Sequence, residues 1–303
     1  MKILLLGKNG QVGWELQRAL APLGELIALD QAGEEGPLGF LCGDLSDLDG
    51  LARTVRLLAP DVIVNAAAYT AVDKAESEQE LARRINAEAP GVLAREAKAL
   101  GAWLVHYSTD YVFDGSGHLP WTETDPVAPL NVYGATKLEG EQLILQSCCK
   151  HLIFRTSWVY ATRGVNFAKT MLRLARERTA LSVIDDQTGA PTGADLLADV
   201  TAHVVRAVVA RPGVSHELSG IYHLAPKGEV TWWGYASFVF AQTRAAGESL
   251  MVETVSPIPT TAYPTPARRP FNSRLNTGKL EAVFALRMPD WQVGVCRMLT
   301  ELR

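Results

Sequence analysis

The chain alternates short runs that are apolar at every position with longer stretches in which apolar residues recur every three or four positions. Ile3 to Leu6, closed by Gly7, is the first run, and Leu26 to Leu29, closed by Asp30, is the second. A third short run precedes Gly43-Asp44-Leu45-Ser46, and a fourth, from Pro60 to Asn65, passes into Ala66-Ala67-Ala68-Tyr69-Thr70. Trp103 to Asp110 and Leu152 to Tyr160 complete the set. Such continuous runs suit strands covered on both faces, as in the middle of a parallel sheet. Between them, Trp14 to Leu20, the alanine-rich Glu80 to Leu100 and a segment through Lys137 to about Gln146 have helical periodicity.

The first turn sharpens this picture. Gly7-Lys8-Asn9-Gly10-Gln11-Val12-Gly13 joins a strand to a helix, the order a dinucleotide site requires. Gly7 serves the turn, Gly10 the close approach of a pyrophosphate and Gly13 the packing of the helix. Asp30 stands 17 positions after Gly13, near where an acid meets the adenosine ribose hydroxyls. No basic residue follows within Gln31 to Glu35, so the local sequence leans towards NADH over NADPH. Asp44 is placed to reach an adenine amino group, with a helix cap as its other role.

These features predict an α/β fold, a Rossmann-type doubly wound parallel sheet with a smaller C-terminal substrate-binding part. Residues 1–160 form the dinucleotide-binding domain. Residues 161–303 have another texture, with more Pro, as in Tyr263-Pro264-Thr265-Pro266-Ala267-Arg268-Arg269-Pro270, and shorter strands. This second part is expected to bind mainly substrate and to return to the main sheet in places.

Composition narrows the partners. At 303 residues, 48% hydrophobic and 20% charged, the chain can bury a sizeable core. A net charge of −4 and no lysine- or arginine-rich run give no electrostatic footprint for nucleic acid. Cys42, Cys148, Cys149 and Cys296 lack metal-ligand spacing and read as reduced packing residues. No apolar stretch is long enough for a membrane span, and the N-terminal run is too short for a signal peptide. A cytoplasmic protein acting on a small molecule is expected.

The candidate chemistry centres on Tyr133-Gly134-Ala135-Thr136-Lys137. In a helix, Tyr133 and Lys137 share a face one turn apart, and an ammonium there would draw the phenol's pKa down from about 10. The phenol then serves as proton donor and acceptor. Ser108 and Thr109 close the strand that ends beside this helix, and Thr109 is the better candidate for a hydroxyl shared between a substrate carbonyl and Tyr133. His106, mid-strand among apolar neighbours, reads as a satisfied core histidine.

With these residues in place, the sequence resembles the extended short-chain dehydrogenase/reductases and, more narrowly, the dTDP-4-dehydrorhamnose reductase family. The resemblance rests on the glycine loop through Leu16, Asn65 to Ala68, Asp73-Lys74-Ala75-Glu76, Ser108 to Phe113, the Tyr133/Lys137 pair, Arg155-Thr156-Ser157-Trp158-Val159-Tyr160, Gly189 to Gly193 and Pro264 to Pro270. It implies a reductase that moves a hydride from NADPH or NADH to the 4-keto carbon of a nucleotide-linked 6-deoxyhexose, making dTDP-L-rhamnose for surface polysaccharide. Tyr133 would supply the proton, Lys137 would hold the nicotinamide ribose and Thr109 would bond the reacting oxygen. Gln11, Val12, Gly13, Asp30, Asp44, Leu45, Ala68, Tyr69, Thr70 and Tyr107 would contact the cofactor, and Asp110 and Trp158 the sugar.

Arg268 and Arg269, a guanidinium pair in a proline-stiffened loop, are candidates for the substrate diphosphate. Some members of the family resemble a magnesium-bridged homodimer with carboxylate ligands at positions that are Glu15, Asp195 and Gln292 here. With one ligand shortened and one neutral, no metal site is expected, and any homodimer would rest on direct contacts. Two other functions share these features. One is an epimerase or dehydratase of the same fold, although Asp110-Tyr111 follows Thr109 where a dehydratase carries Asp-Glu. The other is a catalytically silent regulatory binding subunit.

Overall fold

The computed structural model describes residues 1–36, 39–211 and 215–303. Six parallel strands form the main sheet, in the order Gly220–His223, Lys150–Thr156, Trp103–Thr109, Val62–Asn65, Lys2–Leu6 and Glu25–Leu29. Leu5 pairs with Ala28 on one side and Val64 on the other, so the first strand lies inside the sheet. The chain then crosses over to build outward in the opposite direction. The switch between Lys2–Leu6 and Val62–Asn65 leaves a crevice at the carboxyl ends of the strands, where ligands bind in open α/β sheets.

Each strand alternates its side chains between two faces, and both faces are covered. Ile3, Leu5, Val62, Val64, Val105 and Phe154 pack on one face with Leu16, Leu20, Val204 and Val205 of the helices Gln11–Leu20 and Ala194–Val209. On the other, Leu4, Leu6, Ile63, Leu104 and Ile153 meet Leu51, Val55, Leu93 and Ile144. Each such side chain contributes about 1.5–3 kcal/mol when fully buried. This two-sided burial is why the strands read as continuous apolar runs. The second half of the chain supplies both the Ala194–Val209 helix and the edge strand Gly220–His223, which pairs with Lys150–Thr156. It also has a core of its own, in which Tyr160, Leu172, Tyr235, Phe240, Trp291 and Met298 are buried together.

Three expected elements differ in detail. The short run before Gly43 is not a strand of the main sheet: Gly39–Leu41 pairs antiparallel with Glu34–Gly36. The predicted helix from Glu80 to Leu100 divides into Gln79–Arg83, a π-helical turn Arg84–Glu88 and Ala89–Leu100. Pro90 has no N–H for the Asn86 carbonyl four residues back, and the wider turn, with Ala89 N–H bonding Arg84, accommodates the loss. The predicted strand from Leu152 to Tyr160 breaks after Thr156, because Trp158 turns the chain with a φ of 50°. Val159–Tyr160 then pairs with Thr192–Gly193 outside the main sheet.

One buried ion pair joins the sheet to the helix Val132–Ser147. Arg155 Nη2 lies 2.6 Å from Glu141 Oε2 and its Nε 2.9 Å from Oε1, with the side chains 3% and 1% exposed. Ser108 also donates to Oε1, and Arg155 stacks over the Phe113 ring. Arg155→Met removes the cation and leaves a carboxylate buried without a counter-charge, which costs about 3–5 kcal/mol. Urea unfolding of that variant is expected to show a loss of this size, and a loss under about 1 kcal/mol would mean that the pair does not hold the helix to the sheet.

Candidate active site

The crevice is a cleft of about 1060 Å³ that runs from the glycine loop to Trp158 and Trp232. At its first end Gly7 has a φ of 87°, and a Cβ there would meet the Ala67 backbone nitrogen at 2.8 Å. A Cβ on Gly13 would overlap the Gly7 carbonyl oxygen. Gly13 therefore packs the helix from beneath and does not line the cleft. Gly10 caps the helix Gln11–Leu20 without any side-chain cap, and it lines the cleft with Gly7, Gln11 and Val12. The free N–H groups of that first turn, with the positive end of the helix dipole, form a cradle for a diphosphate.

Asp30 follows the strand Glu25–Leu29 on the rim, where it accepts from Asn9 Nδ2 and from the Ala32 N–H. Lys8 stands at the same strand end: its N–H bonds the Leu29 carbonyl, and its Nζ lies 3.1 Å from Glu34. The residues after Asp30 include no base, but the glycine loop brings one across the sheet. Asp44 and Leu45 line the cleft. Asp44 is not a helix cap, since it bonds Ser46 N and Oγ at 2.8 Å each while Asp47 caps the next helix. Ala68 and Thr70 line the opposite wall. Tyr69 does not, because its hydroxyl turns away to Glu78. Its backbone is clamped from both sides by Asn86, which accepts from Tyr69 N at 2.9 Å and donates to Tyr69 O at 3.0 Å. The π-helical turn carries Asn86.

The middle of the cleft brings together Tyr107, Thr109, Asp110, Tyr133 and Lys137. Asn131 caps the helix Val132–Ser147 by accepting from Gly134 N at 2.8 Å, so Tyr133 and Lys137 lie one turn apart on it. Strand alternation separates the two hydroxyl candidates. Ser108 bonds Glu141, whereas Thr109 lines the cleft with Tyr133, donates to Asp110 Oδ1 at 3.0 Å and accepts from Tyr111 N at 3.1 Å. Tyr107 reaches Thr201 of the Ala194–Val209 helix at 2.6 Å, and its carbonyl accepts from Lys137 Nζ, also at 2.6 Å.

Electrostatics here differ from the sequence expectation. Burial pushes the Tyr133 phenol up to about 12, against the Thr109 hydroxyl and with a further push from Asp110. Lys137 is instead pushed down to about 8 by burial, with Glu141 opposing. Loss of water around both groups outweighs the attraction that the helical spacing suggested. The phenol therefore stays protonated at neutral pH, the state of a proton donor. His106 is fully buried, as expected, but its Nε2 lies 3.1 Å from Lys137 Nζ.

Trp158 closes the far end, its ring stacked on Trp232 with centroids 3.5 Å apart. A bulky residue at positive φ is strained backbone, and such strain clusters at functional sites. A Cβ on Gly189 would come 2.8 Å from the Trp158 ring, so that glycine gives the ring its space. Trp232, in the second half, carries no signal in the sequence, whereas Asn9, Ala67 and Tyr111, which also line the cleft, lie within the glycine loop, the Asn65–Ala68 stretch and the Ser108–Phe113 stretch. Tyr111 follows Ser108-Thr109-Asp110 in the chain, and its ring meets Tyr133 edge to face at 5.7 Å.

Neither Arg268 nor Arg269 lines the cleft. Arg269 is committed to Asp73 in a double contact of 3.0 and 2.8 Å, which ties two of the motif stretches together. Arg268 is exposed, makes no ion pair among the described residues, and its carbonyl accepts from Asn131, the cap of the Tyr133 helix. Glu15 faces Arg18 at 3.6 Å and Asp195 faces Arg297 at 3.4 Å, so both carboxylates of the family's metal positions have guanidinium partners.

Asp110 is 2% exposed and its Oδ2 has no hydrogen-bond partner. Burial pushes this carboxyl up to about 7, opposed by the Ser273 and Thr109 hydroxyls. Between about pH 4 and about pH 7 the folded chain thus keeps a proton that the unfolded chain releases, and stability falls as pH rises through that window. Asp110→Asn removes this dependence. Unfolding of the ligand-free variant should show it more stable than the unaltered chain at pH 8, by on the order of 1–4 kcal/mol, with the gain fading towards pH 4. Equal differences at both pH values would refute the assignment.

Comparison with known proteins agrees with this geometry over the whole chain. The family model described as the RmlD substrate binding domain matches residues 1–303. The dTDP-4-dehydrorhamnose reductase of Escherichia coli K12 is 61% identical over 302 residues, 100% of this chain and 98% of that protein. Among solved structures, the dTDP-4-dehydrorhamnose reductase of Clostridium acetobutylicum superposes with a TM-score of 0.86 at 36% identity, covering 100% and 99% of the two chains. That of Bacillus anthracis, in complex with NADP, gives 0.84 at 33% identity, covering 99% of each. With the glycine cradle, the Tyr133/Lys137 pair and Thr109 in one cleft, the chain belongs to the dTDP-4-dehydrorhamnose reductase family.

Proposed function

We propose that the chain reduces the 4-keto group of dTDP-4-dehydro-L-rhamnose to dTDP-L-rhamnose at the expense of NADPH or NADH. The observation that carries this reading is the convergence of Thr109, Tyr133 and Lys137 in the middle of a cleft whose other end is the uncapped first turn after the glycine loop. The nicotinamide, when bound, supplies the hydride. Thr109 bonds the carbonyl oxygen and aligns it with Tyr133, which donates its phenolic proton as negative charge develops there. Lys137 holds the nicotinamide ribose. Asp110 and Trp158 receive the sugar, with part 161–303 closing over it through Trp232.

The residues present fit a dinucleotide. Gly7, Gly10, Gln11 and Val12 take the diphosphate, Asp30 the adenosine ribose, and Asp44 and Leu45 the adenine, while Ala68, Thr70 and Tyr107 line the nicotinamide half. Gly13 and Tyr69 act through the backbone. The NADP complex of the Bacillus anthracis relative supports use of NADPH as well as NADH; Lys8, at the strand end that Asp30 follows, is paired with Glu34 and would have to leave it to meet a 2′-phosphate. Unpaired Cys42, Cys148, Cys149 and Cys296 support a reducing, cytoplasmic location. Among the described residues no helix is long and apolar enough to cross a membrane.

The direct test is the loss of reduced-nicotinamide absorbance on adding dTDP-4-dehydrorhamnose to the purified chain. One cofactor oxidised per sugar reduced is expected. Turnover of the sugar without net cofactor consumption would indicate an epimerase or dehydratase instead, and no turnover a binding subunit. Tyr133→Phe should lose at least about two orders of magnitude in kcat while still binding cofactor, and near-normal turnover would remove Tyr133 from the mechanism.

For the diphosphate, we propose Arg268 over Arg269, since Arg269 is held by Asp73. Arg268→Ala should raise the KM for the sugar nucleotide several-fold and leave that for the cofactor unchanged. Arg269→Ala should instead lower thermal stability. An unchanged substrate KM in Arg268→Ala would rule that contact out.

A further inference from the structure

Lys137 is 1% exposed, and two groups of the Trp103–Thr109 strand hold its amine. The Tyr107 carbonyl accepts from Nζ at 2.6 Å, and His106 Nε2 lies 3.1 Å away. The direction of the second contact is set from the other side of the ring. The Ala67 backbone N–H donates to Asn65 Oδ1 at 3.2 Å, so the Asn65 amide turns its donor, Nδ2, towards His106 Nδ1, also at 3.2 Å. A neutral imidazole carries one N–H. With Nδ1 accepting from Asn65, that proton lies on Nε2 and is aimed at Lys137.

An ammonium has donors only, whereas an amine offers a lone pair. We infer that His106, its tautomer fixed through Asn65 by the Ala67 backbone N–H, is a positioning residue that presents Lys137 with a donor and so favours the amine over the ammonium. The ring itself stays neutral, because burial and the neighbouring Lys137 hold its pKa well below the ordinary histidine value. Burial acts on Lys137 in the same sense as the hydrogen-bond direction.

The inference rests on Tyr133 as the acid of the proposed reaction and adds only what His106 contributes when that proton is replaced. Once Tyr133 has given its proton to the substrate oxygen, the Lys137 ammonium refills the phenolate, directly or across a bound hydroxyl. One N–H bond breaks and one O–H bond forms. The lone pair left on Nζ accepts the His106 Nε2–H, which is already in place, and no second proton moves. The Lys137 amine regains its proton from solvent after product leaves.

The other titratable groups around Lys137 do not replace this contact. Tyr107 and Asp110 face the site from the strand end, Tyr111 from the turn after it, and Tyr133 and Glu141 from the same helix. Glu141 favours the ammonium, but its charge is shared with Arg155 at 2.6 Å. Asp73, beyond Tyr111, is likewise paired with Arg269.

Nitrogen-15 spectra of the labelled histidines test the tautomer without any variant. The His106 ring, assigned through its contacts with Asn65 and Lys137, is expected to show a protonated Nε2 and a bare Nδ1 at neutral pH. A protonated Nδ1, or an imidazolium, would overturn the inference. Asn65→Asp tests the consequence, because a carboxylate accepts from both Ala67 N–H and His106 Nδ1–H and so turns Nε2 into an acceptor for the ammonium. The alkaline limb of kcat against pH should then move up by about one unit, and the shift should vanish when His106 is replaced by Phe in both backgrounds. An equal shift with and without the imidazole would assign the effect to the new charge and overturn the positioning role. An Nε2-protonated ring in a chain that fails to oxidise reduced cofactor would support the tautomer while refuting the reductase reading.

Discussion

The buried contact between Arg155 and Glu141 is the constraint on which the site depends. Two charges almost without solvent are tolerated only if each satisfies the other at close range, and this fixes the helix Val132–Ser147 against the strands Trp103–Thr109 and Lys150–Thr156. Ser108 joins the same carboxylate. Because neighbouring residues of a strand face opposite ways, committing Ser108 to Glu141 leaves Thr109 on the other side of the strand end, where its hydroxyl lines the cleft beside Asp110. The Glu141 end of the helix is thereby anchored in protein, and one turn earlier Lys137 is left facing His106 and the Tyr107 carbonyl. Asn131 and its bond to the Arg268 carbonyl set the other end of the helix.

The cofactor half is built from backbone more than from side chains. Gly7 and Ala67 approach so closely that no Cβ fits between them, and the first turn of the following helix is left uncapped. The Tyr69 backbone is clamped by Asn86, whose place on a wider helical turn follows from Pro90. Ala67 has a second role, since its N–H orients Asn65 and, through it, His106. A loop on the wall of the cleft thus also orients the groups that stand behind Lys137. At the other end, the strained Trp158 backbone ends one strand and presents a ring to the cleft, with Gly189 and Trp232 giving it room and support.

The sequence by itself determined five of the six strands of the main sheet, the glycine turn and the pairing of Tyr133 with Lys137 on one helix. Continuous apolar runs have one reading when strands alternate with helices, and the roles of Gly7, Gly10 and Gly13 follow from steric limits that are local. Tyr133 and Lys137 are brought together by helical spacing alone, whereas the commitment of Ser108 to Glu141, 33 residues away, could be seen only in the packed structure. Tertiary structure decided what depends on groups distant in sequence. It paired Lys8 with Glu34 and Asn9 with Asp30, paired Arg269 with Asp73 so that Arg268 is left exposed, and set Trp232 on Trp158. It also reversed the expected electrostatics. Helical spacing says that an ammonium and a phenol are near, but their proton affinities depend on how much water the surrounding protein removes, and only the packing of sheet, helix and second half around them fixes that.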